Sequence, residues 1–172
     1  MKNKPTTLEH IKSVIQLPFM AAIFIPSVIY YLRKESSIIP IHEIPATINL
    51  IIGAFTLLLG IIIFWRSLDL FIKIGNGTLA PWNPTKQMII QGPYQYVRNP
   101  MLIGVIFILV GEAFLLRSGN ILVWMMIFVA INTIYFILKE EPDLRKKFGD
   151  EYADYCKHVP RWMPRSIPYQ PK

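Results

Sequence analysis

The chain has little of what soluble enzymes use for chemistry. It has one cysteine, Cys156, so no intramolecular disulfide and no cysteine-based metal site can form. Its three histidines, His10, His42 and His158, are far apart and show no ligand-like spacing, so no metal is expected. Charge is scarce, with 17% of residues charged against 53% hydrophobic over 172 residues. That balance is too apolar for an ordinary soluble domain of this length. The formal charge of +7 comes with no RNA- or DNA-binding motif, so nucleic acid is not an expected partner. The basic excess reads instead as membrane topology and attraction to anionic lipid.

What is present is a set of long runs without charge. Ser13 to Leu32 and Ile44 to Trp65 hold no charged residue, Met101 to Leu116 holds only Glu112, and Ile121 to Leu138 holds none. A spanning helix needs roughly 20 apolar residues, because the hydrocarbon layer is about 30 Å thick. The expectation is an all-α integral membrane protein with about four transmembrane helices. The third run is short, which starts its helix near Asn99. The first run is too long for a cleavable signal peptide and lacks a small-residue cleavage site, so it is expected to remain as an anchor. Pro18 and Pro26 are expected to bend it. Gly53 and Gly60 share a face of the second run, as close helix packing would require.

With four spans, 15 of the 18 Lys and Arg residues fall on one side, leaving Arg33, Lys34 and Arg117 on the other. The positive-inside rule then puts both termini, the Arg66 to Pro100 loop and the C-terminal tail in the cytoplasm. Of these segments, Met1 to Lys12 is basic and interfacial in character. RSLDLFIKI, from Arg66 to Ile74, continues the second helix along the interface. The following stretch is rich in turn residues but keeps Leu79, Trp82, Met88 and Ile89, as a structured cytoplasmic cap loop would.

The densest signal is GPYQYVRNPMLIG, from Gly92 to Gly104, followed one hydrophobic hairpin later by Glu140 and Glu141. A turn at Arg117 to Asn120 makes the two runs antiparallel, which returns Glu140 to the side of Arg98. One mouth would then hold backbone groups, aromatic rings, a cation and carboxylates, a set able to hold a zwitterion. Beyond it, Pro142 opens a further helix with Leu144, Phe148, Tyr152 and Tyr155 on one face. This is an amphipathic C-terminal helix, lying on the membrane or folding back over the cap.

These residues resemble the signature of the isoprenylcysteine carboxyl methyltransferase and phospholipid methyltransferase superfamily, integral-membrane enzymes that use S-adenosylmethionine. The resemblance runs from about Gly77 to Arg165. It lies in the combination of Gly-Pro-Tyr, Arg-x-Pro, an apolar hairpin, paired glutamates and Phe-Gly-x-Glu-Tyr. It implies cofactor contacts from Lys86, Gln87, Met88, Ile89, Tyr94, Asn99, Pro100, Met101, Leu102 and Glu140. It also implies one membrane domain over 1–172, with N-terminal helices in 1–75 and a cofactor-binding methyltransferase core in 76–172. Two departures stand out. Asn99 replaces the histidine common in Arg-x-Pro, and Phe136 stands where the prenylcysteine enzymes place an arginine for the substrate carboxylate.

Catalytic candidates are Arg98 and Glu112. Arg98 could instead anchor lipid phosphate. Glu112 is a charge inside a span, which points to function or to a bond with Asn132 or Thr133. Glu141 is expected to complement the dipole of the next helix. The expected partners are the lipid bilayer and a lipophilic or membrane-bound acceptor. A sterol-reductase-like oxidoreductase using NADPH and a non-enzymatic membrane scaffold are the alternatives.

Overall fold

A computed structural model describes residues 15–32, 38–75 and 87–171, for residues 15–17 the backbone alone. The basic N-terminal segment, the Arg33–Lys34 pair, and Leu79, Trp82 and Lys86 of the cap loop lie outside the described residues. The described residues are helical, with no strand. A π-helical stretch, Ile15–Phe24, runs into α1, Ile25–Leu32; α2 is Ala46–Gly75, α3 Pro100–Leu115 and α4 Gly119–Tyr135. A π turn, Phe136–Glu140, joins α4 to α5, Glu141–His158.

Among the described residues two helices are long and apolar enough to cross a membrane: α2, and the helical run of α4, the π turn and α5, Gly119–His158, which kinks at Gly149. The apolar part of this run ends at Leu138, roughly 20 residues and about 30 Å from its start. Pro18–Leu32 and Pro100–Leu115 are apolar but shorter. At 30 residues α2 is about 45 Å long, so the turns after Trp65, with exposed Arg66, Asp69 and Lys73, run past the hydrocarbon. That overhang carries Phe71 to the level of the Gly92–Gln95 turn.

The closest pairing is α2 against α3, and glycine makes it possible. A methyl on Gly60 would lie 2.7 Å from the Gly104 carbonyl oxygen, and one on Gly104 would lie 2.7 Å from the Phe64 amide nitrogen. Gly111 meets Leu57 at 2.7 Å in the same way. Gly53 also faces α3, at Leu115. The helix axes therefore approach backbone to backbone, which maximises dispersion contact where lipid offers no hydrophobic driving force.

On the other flank of α3, Val105, Leu109 and Ala113 pack into a core with Ala21, Ala22, Ile121 and Phe128. Pro26 has no N–H to give the preceding turn, and the Trp124 indole N–H donates to the Ala21 carbonyl at 2.9 Å instead. At the end of the bundle away from the Gly92–Gly104 segment, buried Asn49 donates to the carbonyls of Ile41 (3.1 Å) and Ile44 (3.0 Å). The Ile38 N–H donates to Asn120 Oδ1 there at 3.0 Å, and Arg117 donates to the His42 carbonyl.

α5 does not lie flat on a surface. Its apolar face packs with Val159, Tyr169, Met88 and Ile90, leaving Arg145, Lys146 and Glu151 outward. Gly149, at φ 58°, breaks it into two straight pieces. The following segment then folds back along residues 95–98. Arg98, Arg165 and Tyr169 N–H groups donate to the carbonyls of Pro160, Tyr96 and Gln95 at 2.9, 3.0 and 3.0 Å. Trp162, on the returning segment, sets its ring 5.9 Å from that of Phe136.

Gly104→Leu should therefore force α2 and α3 apart. We expect a loss of about 3 kcal/mol or more in detergent-solubilised protein, read as a lower thermal midpoint, against no change for the outward-facing Ile61→Leu. Equal stability of the two variants would contradict the backbone contact.

Candidate functional site

Three local sequence features build one cleft. Gly92, at φ 56°, and Pro93 set a 3-10 turn that buries Tyr94, whose hydroxyl donates to the Ser67 carbonyl at 3.4 Å. The Tyr155 hydroxyl holds the Tyr94 carbonyl at 2.7 Å, fastening α5 to this turn. Asn99 and Pro100 then start α3. Asn99 makes no side-chain cap bond, and the first-turn amides of Met101 and Leu102 have no partner within their own helix. The third feature is the π turn. Pro142 lacks the N–H that would continue the α ladder and crowds the preceding turn. The chain shifts register there, with the Glu141 N–H donating back to the Phe136 carbonyl. Phe136 and both glutamates consequently face the turn at Tyr94.

The cleft is partly open to solvent. Its apolar wall is Phe71, Met88, Ile89, Phe136, Leu144 and Phe148; its polar groups are Tyr94, Arg98, Asn99, Glu140, Glu141, Tyr152 and Tyr155. An apolar recess with a few converging polar groups is the usual form of a small-molecule site.

The two glutamates have different surroundings. Glu141 is fully engaged: Arg98 Nη1 donates to Oε1 at 2.9 Å, Arg161 Nε to Oε1 at 2.8 Å and Arg161 Nη2 to Oε2 at 2.9 Å. Arg98 Nη1 also lies 3.1 Å from Cys156 Sγ, while its buried Nε has no partner. Glu140 pairs with no cation among the described residues. Burial, reinforced by the charge of Glu141, pushes its carboxyl from 4.5 to about 7. Burial also raises the phenols of Tyr94, Tyr152 and Tyr155 well above their usual range, so all three are neutral at physiological pH.

Of the residues singled out in the sequence, Met88, Ile89, Tyr94, Arg98, Asn99 and Glu140 line this cleft. Pro100 is buried beneath it, and Met101 and Leu102 sit half-buried in the first turn of α3, outside the lining. Gln87 is exposed and outside the lining. Lys86 lies outside the described residues. Glu112 is some three turns down α3, about 18 Å from Pro100, with Oε2 buried and unpartnered. The bond expected from Asn132 or Thr133 is absent, because each donates to its own helix, at Phe128 and Val129. Arg98 is held by a carboxylate and a thiol, and Glu141, in the first turn of α5, takes two arginines. Sequence reasoning missed Phe71, Leu144, Phe148, Tyr152 and Tyr155 as cleft walls, and Arg161 altogether. The heptad-like apolar face of α5 was visible, but what it faces depends on a fold-back that no local pattern encodes.

A profile described as phospholipid methyltransferase matches residues 48–151. The chain belongs to this family. The matched region runs from the first turn of α2 to the middle of α5, and so includes the Tyr94 turn, the start of α3, the π turn and both glutamates. An uncharacterized protein of Haemophilus influenzae is 42% identical over 53 residues, 30% of this chain and 84% of that protein. Membership of the phospholipid methyltransferase family makes this a membrane methyltransferase, in keeping with its two long apolar helices.

The raised Glu140 carboxyl sets the sign of a pH effect. Its contribution to stability is complete below about pH 4.5 and is lost as the pH rises through about 7. Glu140→Gln should remove that loss, with Glu141, Arg98, Tyr94, Tyr135 and the Lys139–Asp143 pair left in place around it. We expect the ligand-free variant to exceed wild type by about 1–3 kcal/mol at pH 8 and to match it at pH 4.5 in thermal melts. A wild-type advantage at pH 8 would contradict the assignment.

Proposed function

We propose that the chain is an S-adenosylmethionine-dependent methyltransferase of four membrane spans, with both termini and the cleft on the cytoplasmic side, acting on a lipophilic or membrane-associated acceptor. The single observation that carries this reading is Glu140, a buried carboxylate in the cleft that pairs with no cation among the described residues. Isolating such a group is costly unless a cation completes it.

The residues present fit the cofactor. Glu140 suits its ammonium, and the wall formed by Met88, Ile89 and the aromatic rings suits its adenine. Its carboxylate suits the amides of Met101 and Leu102, with the α3 dipole behind them. Arg98 is less suited to that carboxylate than its position in the sequence suggested, because its Nη1 is already bound to Glu141 and Cys156. When bound, the cofactor supplies a methyl on a cationic sulfur, whose charge is neutralised as the methyl leaves. The chain's task is then alignment and exclusion of water. Phe71 and Phe136, on opposite sides of the start of α3, frame the apolar wall against which an acceptor would align. Tyr94, Tyr152 and Tyr155 are neutral and offer hydrogen bonds, not a phenolate base. Phe136 in the lining gives an acceptor carboxylate no cation, which favours acceptors other than a prenylcysteine carboxyl group.

Calorimetric titration of detergent-purified protein with S-adenosylhomocysteine tests this. Saturable binding by wild type and at least tenfold weaker binding by Glu140→Ala are expected, in line with loss of a charge-assisted hydrogen bond. Folded wild type that binds NADPH and not S-adenosylhomocysteine would overturn the reading in favour of a reductase.

A further inference from the structure

Glu140 and Glu141 are adjacent carboxylates at the edge of one cleft, yet among the described residues Glu141 is saturated by arginine while Glu140 meets no cation. Like charges this close disfavour each other's ionised forms. Arg98 alone cannot neutralise Glu141, since it contributes a single nitrogen, Nη1, to one oxygen and shares it with Cys156. Arg161 supplies the rest, with two parallel bonds at 2.8 and 2.9 Å that occupy both carboxylate oxygens. It lies outside the cleft lining and beyond the family-matched residues 48–151, on the returning segment held by the Arg98–Pro160 backbone bond.

We propose that Arg161 is a positioning residue: by holding both oxygens of Glu141 it leaves Glu140 as the cleft carboxylate available to a cationic ligand. The inference rests on reading the cleft as the cofactor site. The charged and titratable groups around the pair are Arg98 and Tyr94 from the loop, Tyr135 from α4 and Lys139 from the π turn. Among the described residues, Asp143, Tyr152, Tyr155 and Cys156 complete the set from α5. Of these, Arg98 alone shares Glu141 with Arg161. Loss of Arg161 therefore exposes Glu140 to an under-neutralised neighbour and makes it harder to ionise.

The test is the pH dependence of S-adenosylhomocysteine binding to the full chain in detergent. Wild type should gain affinity as the pH rises through a midpoint near 7, where Glu140 ionises. Arg161→Gln should move that midpoint upward by about one unit, which at pH 7 lowers affinity about fivefold. Glu141→Gln/Arg161→Gln should move it down to the wild-type value or below, because the repelling charge is gone as well. Arg161→Lys, which keeps charge but not the fork, should shift it by less than Arg161→Gln. Arg165→Gln removes a bond from the same segment to the His158 carbonyl and should leave the midpoint unchanged. Wild type that does not bind would sink the cofactor reading and this inference together. Wild type that binds while Arg161→Gln keeps its midpoint, or while the single and double variants shift alike, would overturn the role of Arg161 only.

Discussion

The interaction on which the site depends is the pair of arginines around Glu141. Arg98 comes from the loop before α3, Glu141 from the first residue of α5 and Arg161 from the returning segment, so one carboxylate ties three stretches of chain together. Such a cluster is costly to assemble, since each charge must shed water, and it holds only because every strong bond is well formed. Its stabilising value is secondary to what it fixes. With Glu141 saturated, the loop at Tyr94 cannot drift from α5, and the charge balance at the mouth of the cleft is set by Glu140.

The membrane part of the fold serves this arrangement. Glycines bring α2 and α3 into backbone contact, and the overhang of α2 then reaches the cleft with Phe71. The helical run that begins at Gly119 carries its polar end out of the apolar region without a loop, changing register once, at the π turn before Pro142. A loop at that position would have left Glu140 and Glu141 on flexible backbone. A π turn between two helices places them on a rigid one, which suits a group that must meet a ligand's ammonium.

How much of this was legible follows from the range of the forces involved. The apolar runs marked α2, α3 and α4 to within a few residues except at the far end of α2, because the hydrocarbon thickness dictates length and composition directly. The continuation of α2 through Arg66 to Ile74 was also readable, from charge mixed with bulky apolar side chains. Gly92-Pro93 and Asn99-Pro100 announced the turns that shape the cleft. The partner of Glu141 was not readable: Arg161 is one of many basic residues near the C-terminal end, and nothing local separates it from Arg165. The same holds for Trp162, whose contact with Phe136 depends on the fold-back. Pro142 was read as a helix start, but the π turn it favours depends on both flanking helices persisting. Gly149 carried a signal, as a glycine within an otherwise helical pattern, whose meaning appears only once the second half of α5 has to reach Gln95 and Tyr169.

The return of residues 159–171 along the loop at 95–98 separates helix packing from completion of the site. The packed helices up to α4 all lie before Phe136, whereas the bond between Tyr169 and Gln95 needs residues that follow α5. Arg161 follows all of these helices in the order of the chain. Until it is in place, Glu140 and Glu141 are two carboxylates beside a single arginine, Arg98. Helix packing can thus be complete while the cleft is still electrostatically unfinished, and the last contacts to form are the ones that ready it for a ligand.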